Sequence, residues 1–118
     1  MARQIKTIDY DAGNDIFFIS DGEKVKASLD IGDFVLDVSH SNLICGIEIM
    51  GASENLGISK EMLKDIRSIK MSVTYKKDHV YVLLMMVFKK EGREVNVPIP
   101  LTLDLGHTAT RKEILLYN

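Results

Sequence analysis

Three carboxylates, Asp33, Asp37 and Glu48, and one thiol, Cys45, carry most of the chemistry this 118-residue sequence could perform. Hard divalent cations take several oxygen ligands, so three acids on one surface could hold Mg²⁺, and the same acids could receive a basic partner. Strand pairing, not linear spacing, is what would assemble them. A tight turn at Ser39 to Asn42 folds Phe34–Val38 back on Leu43–Met50, with Leu36 opposite Cys45, Phe34 opposite Ile47 and Asp33 opposite Glu48. One face then holds Phe34, Leu36, Val38, Leu43, Cys45, Ile47 and Ile49. The other holds Asp33, Val35, Asp37, Ile44, Gly46, Glu48 and Met50. Like charges opposite one another destabilise a sheet, so the second face calls for a cation, a Lys or Arg, or open water. Solvated or salt-bridged carboxylates are the plain alternative to a metal site.

Cys45 falls on the apolar face, where a free cysteine behaves as a small hydrophobe. As the single cysteine it excludes an internal disulfide and multi-cysteine zinc patterns. Asp9, Asp11 and Asp15 with Asn14 suggest a calcium loop, but Gly13 and Asn14 stand where the pattern needs a ligand and a glycine. Turn chemistry explains these residues instead. His40, His79 and His107 sit at or beside turns, without metal-helix spacing or a nucleophile arrangement, and read as surface histidines. No catalytic residue and no cofactor follow from any motif.

The elements that must position these groups are mostly strands. Gln4–Tyr10 and Asp15–Ser20 form a first hairpin through Asp11–Asn14, and Val25–Ile31 alternates apolar and polar as a half-buried strand does. Residues 52–66 form a helical connection in two pieces split at Gly57, with Ser53 and Ser59 as N-caps. A second meander follows, with strands near Arg67–Lys76, His79–Lys89 and Glu94–Leu103. A tight Lys77-Asp78 turn puts Ile69, Met71, Val73 and Tyr75 on one face with Val80, Val82, Leu84, Met86 and Phe88, joined by Val95, Val97, Ile99 and Leu101. Pro98 and Pro100 lack N–H groups on the same side, which requires this strand to be a sheet edge.

The middle strand of that meander is apolar on its other side as well, through Tyr81, Leu83, Met85 and Val87. These four form the candidate interface, covered by the helical segment, by the tail or by a second subunit. Lys76-Lys77 and Lys89-Lys90 flank the strand as charged gatekeepers. The tail from His107 to Asn118 offers a capping box, Thr110 to Glu113, before Ile114 to Tyr117, as a helix or a strand that docks.

Composition sets the outer bounds. A chain of this length buries roughly 65% of its unfolded surface in one core. Residues 1–118 are therefore read as one domain: a β meander over 1–50, the helical connection over 52–66, and a second meander and tail over 67–118. A formal charge of -2 gives no general attraction to nucleic acid. The longest apolar run, Val80–Phe88, spans nine residues, about half of the ~18 a membrane span needs. With no secretory leader at Met1–Thr7, a cytoplasmic protein is expected.

Tyr10-Asp11, Asp15-Ile16-Phe17-Phe18-Ile19 and Gly46-Ile47-Glu48-Ile49-Met50 followed by Ala52-Ser53 resemble the family catalogued as domain of unknown function 2283, over residues 1–57. The resemblance implies a small prokaryotic cytoplasmic protein with an interaction or antitoxin role, and brings no catalytic residues. The expected fold is α+β, mainly antiparallel β, with two meanders packed as a sandwich or strongly curved sheet and a short helical connection; a distorted β-barrel is the alternative. The expected function is a non-enzymatic interaction or self-association module, homo-oligomeric or with a protein partner. A small metal-dependent enzyme or ligand-binding protein built on the acidic face is the competing reading.

Overall fold

Alternating apolar and polar residues build nine strands, and the computed structural model describes residues 2–104. In chain order these are β1 (Ala2–Gln4), β2 (Thr7–Asp11), β3 (Ile16–Ser20), β4 (Val25–Ile31), β5 (Phe34–Ser39) and β6 (Ile44–Met50). Two short helices follow, α1 (Ala52–Leu56) and α2 (Lys60–Leu63), then β7 (Ile66–Tyr75), β8 (His79–Lys90) and β9 (Arg93–Asp104). The strands form a five-stranded sheet, β2-β3-β6-β5-β4, and a four-stranded sheet, β1-β7-β8-β9, antiparallel throughout. The inner faces share one core, with Phe17, Ile19, Leu36, Ile47 and Ile49 from one sheet and Ile69, Met71, Leu84, Met86 and Phe88 from the other. The result is mostly antiparallel β in two sheets, as expected, and among the described residues no closed barrel forms.

The first strand departs from expectation. Gln4–Tyr10 is not continuous, because the chain changes sheets between Ile5 and Lys6. The Ile5 amide donates to Ile69 O at 2.9 Å in one sheet, and the Lys6 amide donates to Ser20 O at 2.9 Å in the other. Ile5 is buried at this corner, so the bend itself contributes to the core.

The β5–β6 hairpin also differs, by a shift of register. The turn is wider than a tight one: the Ser39 amide donates to Leu43 O, the Asn42 amide donates to Ser39 O, and Asn42 has φ 63°. Leu36 therefore pairs with Ile47, Phe34 with Ile49 and Val35 with Glu48, while a bulge between Asp37 and Val38 pairs Val38 with Ile44. A two-residue shift preserves parity, so Phe34, Leu36, Ile47 and Ile49 keep the inner face. Near the turn the bulge reverses it. Ile44 packs in the core, Leu43 is exposed, and Cys45 is buried outside the core cluster rather than opposite Leu36.

The connection and the second meander follow the sequence closely. Gly57, in the left-handed region at φ 67°, ends α1, and Ser59 caps α2 by accepting from the Met62 amide. Pairs Ile69–Met86, Met71–Leu84 and Tyr75–Val80 place the expected residues inward. Among the described residues β9 is an edge strand, as Pro98 and Pro100 require. No described helix is long and apolar enough to cross a membrane. His107 and the capping box at Thr110–Glu113 lie outside the described residues.

Candidate functional site

The acidic trio follows the corrected register. Glu48 lies between Phe18 and Val35, not opposite Asp33, and Asp33 sits beside Met50, whose amide donates to Asp33 O at 2.8 Å. Asp33 Oδ2 accepts from Asn55 Nδ2 at 3.1 Å, and Asp37 Oδ1 accepts from Ser28 Oγ at 2.7 Å. Among the described residues no group of three His, Cys, Asp or Glu side chains is placed to hold a metal ion. Asp33, Asp37 and Glu48 thus share the outer side of the five-stranded sheet without converging on a point.

One polar cluster was not foreseen in the sequence. Gly51 at the start of α1 has no side chain to cap the helix, and Asp15 does so from the β2–β3 turn. Its carboxylate accepts from the Ser53 amide at 3.0 and 3.2 Å, from Ser53 Oγ at 2.7 Å and from Tyr10 Oη at 2.6 Å. The Ala52 amide donates to Asp15 O at 2.9 Å. Ser53 is consequently a donor to the cap and not the N-cap expected of it. The available signal was a helix opening on glycine, whose free N–H groups need an acceptor from elsewhere. Asp11 takes the turn role foreseen for it, accepting from the Asn14 amide and side chain at 3.2 and 2.8 Å.

These contacts carry a pH signature. Hydrogen bonds from Tyr10 and Ser53 hold the Asp15 carboxyl below its usual 3.8, while burial first and the Asp15 bond second push the Tyr10 hydroxyl up to about 12. A lowered carboxyl stabilises the fold above pH 3.8 and loses that contribution as the pH falls through its folded value. A raised phenol stabilises below pH 10 and loses its contribution between 10 and about 12. Asp15→Asn is therefore expected to lower the melting temperature at pH 7 and to flatten its fall between pH 4 and 2; a melting series at stepped pH checks both.

A second polar cluster closes the opposite corner. Arg3 on β1 pairs through Nη1 with Asp21 at 2.5 Å and donates through Nη2 to Ile44 O. The Asp21 amide donates to Cys45 O at 2.8 Å, and the Ile44 amide donates to Tyr75 Oη at 2.7 Å. Cys45 Sγ lies 3.5 Å from Asp37 O, and burial pushes its thiol up to about 11. A protonated, inaccessible sulfur is a poor nucleophile at neutral pH. A cleft of about 220 Å³ is lined by Arg3, Leu43, Val73 and Tyr75.

On the outer side of the four-stranded sheet, Tyr81 is 43% and Leu83 38% exposed, with Met85 and Val87 half-buried. His79 stacks on Tyr81 with ring centroids 6.2 Å apart. The flanking side chains are Ser68, Lys70, Ser72 and Thr74 on β7 and Asn96, Pro98, Pro100 and Thr102 on β9, so Lys70, beside Met85, is the one charged neighbour among them. The four candidate interface residues form one stripe.

Comparison with known proteins connects part of this geometry to a family. The family model described as protein of unknown function DUF2283 matches residues 7–53, from the first residue of β2 to the Ser53 that Asp15 holds. That segment contains the whole five-stranded sheet. The chain is 29% identical over 89 residues to a Methanosarcina mazei protein named "Putative hypoxanthine phosphoribosyltransferase", covering 75% of this chain and 72% of that one. It is 28% identical over 90 residues to an uncharacterized protein of Methanocaldococcus jannaschii, covering 75% of this chain and 78% of that one. No solved structure matches the chain.

Proposed function

We propose that the protein is a non-enzymatic interaction module that associates with a second copy of itself through the outer face of β7, β8 and β9. The observation that carries this reading is the stripe Tyr81, Leu83, Met85 and Val87, apolar, continuous and open in the middle of a sheet. Large apolar side chains in a row on a sheet face gain free energy when another surface removes them from water. Lys70, beside Met85, is the single charge among the paired neighbours on β7 and β9, too little to select an oppositely charged partner, whereas a twofold axis can lay the stripe against its own copy. The prolines of β9 block pairing along that edge, which directs association to the face.

Sedimentation velocity over a concentration series, with native mass measurement, tests the proposal. The wild type is expected to form dimers that Leu83→Lys converts to monomers with little change in melting temperature, since Leu83 lies on the outer face. A wild type that stays monomeric at every concentration overturns it.

The name of the Methanosarcina mazei relative supports an enzymatic alternative. Two grooves bounded by described residues hold about 120 and 220 Å³, against the ~300 Å³ and above of typical small-molecule pockets. Consumption of hypoxanthine by the purified protein, given a phosphoribosyl donor, would replace the module with that enzyme.

A further inference from the structure

The outer face of the five-stranded sheet has a different composition from the self-association face, and its register makes the difference specific. One row across the strands reads Asp9, Phe18, Glu48, Val35, Asp30. The next reads Asp11, Ile16, Met50, with Asp33 beside Met50. Ile16, Phe18, Val35 and Met50 are half-buried and form an apolar strip on β3, β6 and β5. Asp9 and Asp11 stand along one side of it, Asp30 and Asp33 along the other, all exposed. Across residues 7–59 the basic side chains are Lys24 and Lys26 against ten acidic ones. The Arg3–Asp21 and Lys64–Glu61 ion pairs involve none of these carboxylates.

We infer that this face docks a basic amphipathic helix of a partner protein, its apolar stripe on Ile16, Phe18, Val35 and Met50 and its Lys or Arg side chains on the two carboxylate margins. The dimensions agree with that occupant. Four strand spacings separate β2 from β4, about 19 Å, while a helix with its side chains is about 10–12 Å wide, leaving each border within the reach of a lysine. Lysine stems cover apolar surface while their ammonium groups stay at the wet margin, which suits a strip bounded by acids. Negative potential on both sides excludes phosphate-bearing ligands and speeds encounter with a cationic surface.

Glu48 adds a requirement. It is half-buried between Phe18 and Val35, and no ion pair or side-chain hydrogen bond reaches its carboxylate among the described residues. A helix lying on the strip would take this carboxylate out of water, and a buried charge left unpaired is costly. The occupant must therefore carry one Lys or Arg within its apolar stripe, opposite Glu48. That residue fixes the register of the helix and discriminates against apolar helices lacking it.

The test uses the full chain and an 18-residue helical peptide with a leucine stripe, lysines on both borders and one central lysine in the stripe, titrated by calorimetry. Expected results are saturable binding that weakens with salt, and at least tenfold weaker binding by an isomeric peptide whose order destroys the stripe. Glu48→Lys should weaken binding at least tenfold, and Glu91→Lys, the same charge change in the β8–β9 turn, less than threefold. Thermal melts confirm that both variants fold. Leu83→Lys should bind like wild type, which separates this face from self-association. Absence of binding, equal binding of the scrambled isomer, or equal loss in Glu48→Lys and Glu91→Lys overturns the inference.

Discussion

Phe17→Ala is expected to remove about 4 kcal/mol of stability, since a fully buried aromatic truncated to alanine loses both its transfer free energy and the packing around the cavity it leaves. Phe17 is 0% exposed and lies on β3 between Tyr10 of β2 and Ile49 of β6. Its ring meets that of Tyr10 at 6.2 Å, tilted by 58°. The substitution therefore also loosens the tyrosine that donates to Asp15, and through Asp15 the start of α1. The melting temperature should fall by roughly 15 °C. The adjacent Phe18→Ala is the control, because Phe18 points to the outer face and is only half-buried. Its cost should stay under about 1.5 kcal/mol, short of the range for a fully buried apolar side chain. Denaturant titrations of both variants check the contrast. Equal costs would contradict the inward and outward assignment of β3.

The same parity explains which parts of the fold could be read from sequence. Lys77-Asp78 is a two-residue connection, and a turn that short leaves one register, so every β7–β8 pair from Ser68 to Tyr75 follows. Ser39–Asn42 is longer, and the left-handed conformation of Asn42 sets a closure that residue types do not dictate. That closure shifts the pairing by two residues from that of a tight turn, which keeps Leu36 and Ile47 inside but moves Glu48 away from Asp33. The acidic face was thus legible as a face, and its internal arrangement was not. The sheet change at Ile5-Lys6 has no Gly or Pro to announce it. It arises because Ile69 and Ser20 offer carbonyls from different sheets to consecutive amides. The cap on α1 was hidden for a similar reason, since Asp15 and Ser53 lie 38 residues apart and no local pattern links them.

Arg3→Ala should have the second large effect, about 3 kcal/mol, because breaking a buried ion pair from one side strands the remaining charge. The Asp21 side chain is 6% exposed, against 29% for Arg3, so the arginine is the wetter partner and its removal leaves the drier charge with the Glu23 amide, which donates to Asp21 Oδ1 at 3.0 Å, but without a cation. A carbonyl loses its donor as well, since Arg3 also bonds Ile44 O at the start of β6. These two contacts fasten β1, an edge strand of the four-stranded sheet, to the five-stranded sheet, and the Ile5-Lys6 corner is the neighbouring tie. The double variant Arg3→Ala/Asp21→Ala separates the two contributions. If stranded charge dominates, removing Asp21 as well restores much of the loss, and the coupling in the double-mutant cycle exceeds about 0.5 kcal/mol, the level above which contacting sites depart from additivity. If the bond to Ile44 O dominates, the double variant is no more stable than Arg3→Ala. In either case β1 should exchange its amide hydrogens faster than β8 in Arg3→Ala, because the loss falls on the strand whose attachment Arg3 provides.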